Sequence, residues 1–170
     1  HNSDCLNCVR NKKCELQDLC EEYGIRERRF KGERRLPKLD ISPSIEKHES
    51  KCILCGRCVR ICNEVQKIGA IGYSKRGFYT TVSTAFDEGL NVSNCINCGQ
   101  CILACPVGAL RERSNIKKVD AILNNPDIVK IAQFAPAVRV SIGEEFGVEP
   151  GEDMKKKLVS ALRMVGFDKV

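Results

Sequence analysis

Eleven of the twelve cysteines in this 170-residue chain fall into three tight groups, and the spacing inside each group is that of metal ligation. Cys52, Cys55, Cys58 and Cys62 make one C-x2-C-x2-C-x3-C run, and Cys95, Cys98, Cys101 and Cys105 make a second, followed by Pro106. The first group, in HNSDCLNCVRNKKCELQD, supplies only three thiols, Cys5, Cys8 and Cys14. An iron–sulfur cube or a structural zinc takes four protein ligands, and spacing nominates His1 as the fourth here. An imidazole in place of a thiolate removes one negative charge and raises a cluster's reduction potential. Cys20 stands apart from the groups and reads as a small buried hydrophobe.

Zinc ribbons pair two Cys-x-x-Cys knuckles and have no use for a third cysteine two residues later, whereas both long runs here have one. The double run is the one used by two-cluster bacterial ferredoxins, in which three cysteines hold one 4Fe-4S cube and the fourth reaches the other. On that pattern Cys52, Cys55, Cys58 and Cys105 serve one cluster, and Cys95, Cys98, Cys101 and Cys62 serve another. Gly56 and Gly99 allow the loop backbone to come close to the sulfides. Clusters fully ligated by protein have no open site for substrate, so they suit electron transfer and not Lewis-acid catalysis.

These ligands need small elements to hold them. CELQDLCEEYG repeats Leu16, Leu19, Cys20 and Tyr23 at helical spacing, with Gly24 placed as a C-terminal cap. LPKLDISPSIEKHES reads as a polar linker, with His48 at the surface. GAIGYSKRGFYTTVSTAF alternates apolar and polar residues around SKRG and reads as a hairpin. Beyond Asn115, IKKVDAILNN reads as a helix ending near Pro126, IVKIAQFAP as a buried strand and EDMKKKLVSALRMVGF as an amphipathic helix, the opening of an α/β domain. The expected fold class is therefore α+β: a small His/Cys 4Fe-4S domain over 1–35, a linker over 36–50, a two-cluster ferredoxin-like domain over 51–113, and the truncated start of an α/β domain over 114–170, which the resemblance described below makes a catalytic domain.

Composition narrows the class further. Bunched cysteines without an apolar stretch of signal or membrane-spanning length point to metal chemistry in a reducing compartment, so a cytoplasmic protein with no membrane segment is expected. The net charge of +6 and the basic run RERRFKGERR suggest nucleic acid, but each cysteine-ligated cube with its thiolates carries about −2. Three such centres, one with a neutral imidazole, bring the sum to about +1. With aromatics at only 5%, no nucleic-acid partner is expected. The run from Arg26 to Arg35 reads as a solvated face or a docking strip for an acidic partner. The absence of an initiator Met and the ending at GFDKV suggest a piece of a larger protein.

HNSDCLNCVRNKKCELQD, KCILCGRCVRICNEVQ, GAIGYSKRGF and NCINCGQCILACPVGAL together resemble the iron–sulfur region of modular iron-only (FeFe) hydrogenase catalytic subunits. Related motifs occur in the large iron–sulfur subunit of NADH dehydrogenase and in NAD-linked formate dehydrogenases. The resemblance implies that His1, Cys5, Cys8 and Cys14 bind one 4Fe-4S cube, making three with the two above. IVKIAQFAPAVRVSIGEEFGVEPG resembles the opening of the hydrogenase catalytic domain, which would put Ala135, Pro136 and Ala137 next to the surroundings of the active-site H-cluster. The ligands of that cluster, and an upstream 2Fe-2S domain, are expected in other parts of the full-length protein, so no catalytic residue is expected in this chain. The implied function is electron relay in reversible hydrogen oxidation. The alternatives are the matching segment of an NAD-linked formate dehydrogenase or complex-I-like subunit, and a stand-alone polyferredoxin. Implied partners are a ferredoxin, an NADH-oxidising flavoprotein module or a formate dehydrogenase module, in a hetero-oligomer.

Overall fold

The computed structural model describes residues 5–27, 29–30 and 39–170. His1 and most of the basic run after Arg29 lie outside the described residues. The chain divides into two compact units, His1–Arg113 and Ser114–Val170.

In the first unit, turns carry the chain from Cys5 to Cys14 and into helix α1 (Glu15–Glu22). α1 ends as its sequence predicts: Gly24 takes a φ of 62°, its N–H donates to the Glu21 carbonyl, and the Ile25 N–H donates to the Cys20 carbonyl. That pair of bonds is the Schellman closure, which satisfies carbonyls left open at a helix end. Of the apolar stripe on α1, Leu16 packs against the core, while Tyr23 stands in solvent and Cys20 is half-buried.

The stretch expected to be a linker is sheet from Leu39 onward. Strands β1 (Leu39–Ile41) and β2 (Ile45–His48) form an antiparallel hairpin, and β2 pairs on its other side with β5 (Leu110–Glu112). Ser42 closes the turn, its hydroxyl accepting from the Ile45 N–H at 2.8 Å. The strand pairing is long-range, Ile45 with Glu112 and Lys47 with Leu110, which is why so short and charged a stretch holds β structure. His48 is not a free surface residue: its N–H donates to the Ala109 carbonyl at 2.7 Å, and its Nε2 is enclosed, 3.9 Å from a Glu46 carboxylate oxygen. That separation is too long for a hydrogen bond. Burial first, then Arg111 and Lys51, keep the imidazole below its ordinary pKa.

Between β2 and β5 lie the two long cysteine runs. Helix α2 (Arg57–Arg60) widens into a π-turn over Ile61–Val65, where the Gln66 N–H reaches the Ile61 carbonyl, and helix α3 (Gln100–Ala104) packs against this pair. The expected hairpin is present as β3 (Gly72–Ser74) against β4 (Thr81–Ser83), joined by a six-residue loop that includes a 3-10 turn at Gly77–Tyr79. Ile45, Val82, Leu90, Val107, Ala109 and Leu110 fill the core together with Cys14, Cys58 and Cys105.

The second unit holds helices α4 (Ile116–Leu123), α5 (Val138–Glu144) and α6 (Lys155–Val165). Met154 is its buried anchor, lying against Gly143 with its N–H donating to the Arg139 carbonyl. The buried strand expected at IVKIAQFAP does not form. Its only β contact is a single parallel bridge from Ile131 to Lys169, and Val129 and Ile131 are each 67% exposed. A strand needs neighbours on both edges and a covering layer to bury such side chains, and among the described residues of this unit only the 168–169 segment pairs with it.

Candidate metal centres

The two long cysteine runs fold into matching loops. Leu54 and Gly56 in the first have φ of 58° and 72°, and Asn97 and Gly99 in the second have 56° and 75°. Each glycine leads directly into a short helix, Gly56 into α2 and Gly99 into α3. The left-handed conformation suits glycine and asparagine but strains leucine, so Leu54 is held there by its surroundings. Tyr73 is one of them: its hydroxyl donates to the Leu54 carbonyl at 3.2 Å. The same hydroxyl lies where a Cβ on residue 56 would stand, so glycine is required there for space as well as for φ. The Leu54 N–H points to Cys52 Sγ at 3.4 Å, the kind of amide contact that stabilises a thiolate.

Two cavities open beside these loops. One, about 560 Å³ including its mouth, is bordered by Cys52, Cys55, Cys58, Cys105 and Cys101, with apolar walls and the aliphatic and cationic side chain of Lys47. The other, about 370 Å³ by the same measure, is bordered by Cys62, Cys95, Cys98 and Cys101. Ile71 and Leu90 border both, so they form a shared wall, and Cys101 also reaches both. Among the described residues no three His, Cys, Asp or Glu groups close on one point as a single ion needs. The thiols surround spaces, which suits a larger group.

Charge follows the same division. Burial pushes the Cys58 thiol up to about 12, helped by Cys52, Cys105, Cys101 and Cys55. Burial pushes Cys101 up to about 11, helped by Cys95, Cys98 and Cys62. Cys52 is also raised, by burial first, and Lys47 acts against the shift. A crowd of buried thiols of this kind resists becoming a crowd of thiolates unless a cationic core neutralises them. Cys105, 7% exposed, meanwhile donates its S–H to the Val107 carbonyl at 3.0 Å.

The first group sits against the same body. Cys14 is 7% exposed and shares the core with Cys58 and Cys105. A Cβ on Gly108 would stand 2.5 Å from Cys8 Sγ, so the Cys8 turn lies directly on the segment that follows Cys105. The Glu15 N–H donates to the Pro106 carbonyl at 3.2 Å. Cys5 and Cys8 are half-buried, and Ala135, Pro136 and Ala137 form an exposed turn into α5. Lys47, Leu54 and Tyr73 were not singled out by the sequence. Only Lys47 left a signal, being a charge at an inward position of the Ile45–Glu46–Lys47–His48 alternation.

Comparison with known proteins agrees region by region. Residues 1–29 match the NADH-ubiquinone oxidoreductase-G iron-sulfur binding region, and residues 51–109 match the 4Fe-4S dicluster domain. Residues 128–170 match the iron only hydrogenase large subunit, C-terminal domain. The chain is similar, region by region, to the iron–sulfur region of hydrogenase-type subunits. It is 47% identical over its whole length to the NADP-reducing hydrogenase subunit HndD of Solidesulfovibrio fructosivorans and 37% identical to iron hydrogenase 1 of Clostridium pasteurianum. It spans 29% and 30% of those relatives' lengths. Among solved structures, an NAD+-reducing [NiFe]-hydrogenase in the H2-reduced state matches 67% of this chain and 49% of its own, with a TM-score of 0.61 and 25% identity. No helix among the described residues is long and apolar enough to cross a membrane.

Proposed function

We propose that this hydrogenase-type region relays electrons through three 4Fe-4S clusters to an H-cluster held elsewhere in the full-length subunit, in reversible hydrogen oxidation. The observation that carries the reading is the crossed bordering of the two cavities. Each is lined by three cysteines of one run and the fourth of the other, Cys105 beside Cys52, Cys55 and Cys58, and Cys62 beside Cys95, Cys98 and Cys101, with Cys101 reaching the first cavity as well. These are the ligand sets we assign to two clusters, with His1, Cys5, Cys8 and Cys14 assigned to the third.

Bound there, such clusters supply one-electron transfer. The chain's own residues do the rest. The left-handed turn at Leu54 aims its backbone amide at Cys52, Ile71 and Leu90 wall both cavities from water, and Val82 walls the first. Tyr73 closes over the first loop. Burial and amide contacts are the protein's means of setting a cluster's potential.

The match of residues 128–170 to the hydrogenase C-terminal domain favours this reading over a formate dehydrogenase or a stand-alone polyferredoxin. In the whole protein, Ala135, Pro136 and Ala137 would lie near the H-cluster, and a 2Fe-2S domain would stand upstream. A ferredoxin or an NAD(P)H-oxidising flavoprotein subunit would exchange electrons with this region in a cytoplasmic hetero-oligomer. The test is the full-length protein matured anaerobically, assayed for hydrogen evolution with reduced viologen and for iron and acid-labile sulfide. Activity is the expected result, with four iron and four sulfide for each of the three centres in addition to what the H-cluster and the 2Fe-2S domain hold. A colourless, zinc-loaded product would overturn the cluster assignment, and a fully loaded protein without hydrogen turnover would overturn the hydrogenase assignment.

A further inference from the structure

Lys47 is only 8% exposed, yet it carries a charge that proteins seldom bury without a partner. It occupies an inward position of β2, beside the fully enclosed Ile45, and its side chain borders the cavity of Cys52, Cys55, Cys58 and Cys105. Among the described residues no carboxylate pairs with it: the ion pairs there are Glu46 with Arg111, Glu15 with Arg57, and Asp153 with Arg139. What it does feel is the Cys52 sulfur, whose thiolate form it favours. The other cavity has no Lys, Arg or His on its border. The two centres are thus alike in thiols and loop geometry, and only the first has a cation on its cavity border; Arg57, outside that border, also acts on Cys55 and Cys105 but is largely exposed.

We propose that Lys47 is a potential-setting residue that raises the reduction potential of the cluster at Cys52, Cys55, Cys58 and Cys105 above that of its neighbour at Cys62, Cys95, Cys98 and Cys101. The inference rests on the ligand sets proposed above. Gain of one electron takes a cube with four thiolates from about −2 to about −3, with no bond made or broken. A fixed buried cation therefore stabilises the reduced form more than the oxidised one, and in a low-dielectric wall it is little screened by salt. The anionic occupant in turn accounts for a lysine buried without a carboxylate.

The test uses the full-length holoprotein, titrated with dithionite and followed by EPR, in the native form and as Lys47→Met, Lys47→Gln and Lys47→Arg. Met and Gln should lower the midpoint of one cluster, leave the others in place, and do so equally at low and high salt. Arg should restore the native value. Should the Met variant lose iron, the Gln variant, which keeps a polar tip without the charge, gives the reading. Unchanged midpoints in the Gln variant, an equal shift at every cluster, or failure of Arg to restore the value at full iron content would each overturn the role of Lys47. Absence of 4Fe-4S signals from the native protein would instead overturn the ligand assignment beneath it.

Discussion

The Arg57 guanidinium donates to both carboxylate oxygens of Glu15, at 2.5 Å each. The two stand 42 positions apart, so this fork ties the start of α1, just after Cys14, to the start of α2, which follows Cys55 and carries Cys58. It is the bidentate geometry that makes arginine–carboxylate pairs directional. Both side chains are 45% exposed, so the tie orients the segment more than it stabilises the fold.

Glu15→Gln should therefore loosen residues 5–27 without unfolding the sheet. The Arg57 hydrogen bonds hold the Glu15 carboxyl below the usual carboxylate range. A depressed carboxylate contributes fully above its unfolded pKa and loses its contribution as pH falls through the lower, folded value. In limited proteolysis at low salt and neutral pH, the Gln variant should be cut faster in this segment than the native chain. The gap should narrow at high salt and as the pH drops through the acidic range. Equal cutting rates under all conditions would show that backbone contacts alone hold the segment.

Gly108→Ala asks a different question of the same seam. Gly108 does not have a positive φ, so only space is at issue, and its added Cβ would lie 2.5 Å from Cys8 Sγ. Overpacking of this kind costs about 1–3 kcal/mol. The thermal midpoint should fall, and iron should be lost at the first centre before the other two. Gly72→Ala is the matched control, since nothing lies within 4 Å of its Cβ position. If Gly108→Ala behaved like the control in both melting and iron content, the contact would be shown to yield.

What was readable in advance were the local features. Cysteine spacing, the αL glycines at 56 and 99, the Schellman glycine after α1 and the hairpin are written within a few residues of where they act. The sheet over 39–48 was not readable, because IEKHE is charged and gains β structure only by pairing with Leu110–Glu112, some 65 residues away. Lys47 was hidden for the same reason. Alternation places it on the inner face, but a lysine there contradicts the polar–apolar rule, and such contradictions gather at functional sites. IVKIAQFAP failed in the opposite direction. Its composition is that of a buried strand, and composition does not supply the neighbours that make one. His1 lies outside the described residues, so its nomination rests on spacing and family resemblance.

The crossed ligand sets predict how single cysteine losses group. Cys58→Ser and Cys105→Ser should both remove or convert the same EPR-visible cluster, although they stand 47 positions apart in the sequence, because both border the cavity beside Lys47. Cys62→Ser and Cys98→Ser should act together on the other cluster. Grouping by sequence run, with Cys58 and Cys62 damaging one cluster and Cys98 and Cys105 the other, would refute the crossing.

The raised thiols make loading pH-dependent. With Cys58 pushed up to about 12 and Cys101 to about 11, mainly by burial, both are protonated in the cluster-free protein at neutral pH. Ligation needs thiolates, so loading releases those protons and is favoured by raising the pH. The same shifts act on the bare fold with the opposite sign. The unfolded chain gives up these protons from about 9 upward, the reference value for both thiols, while the folded chain still holds them. Stability of the cluster-free protein should thus fall as the pH climbs from about 9 toward 12. Alkylation with iodoacetamide at pH 8, read by peptide mass, should label the exposed Cys98 well before Cys58 or Cys101. Reconstitution with iron and sulfide should abolish labelling at all three. Early labelling of Cys58 in the folded, cluster-free protein would mean that its cavity is open to water.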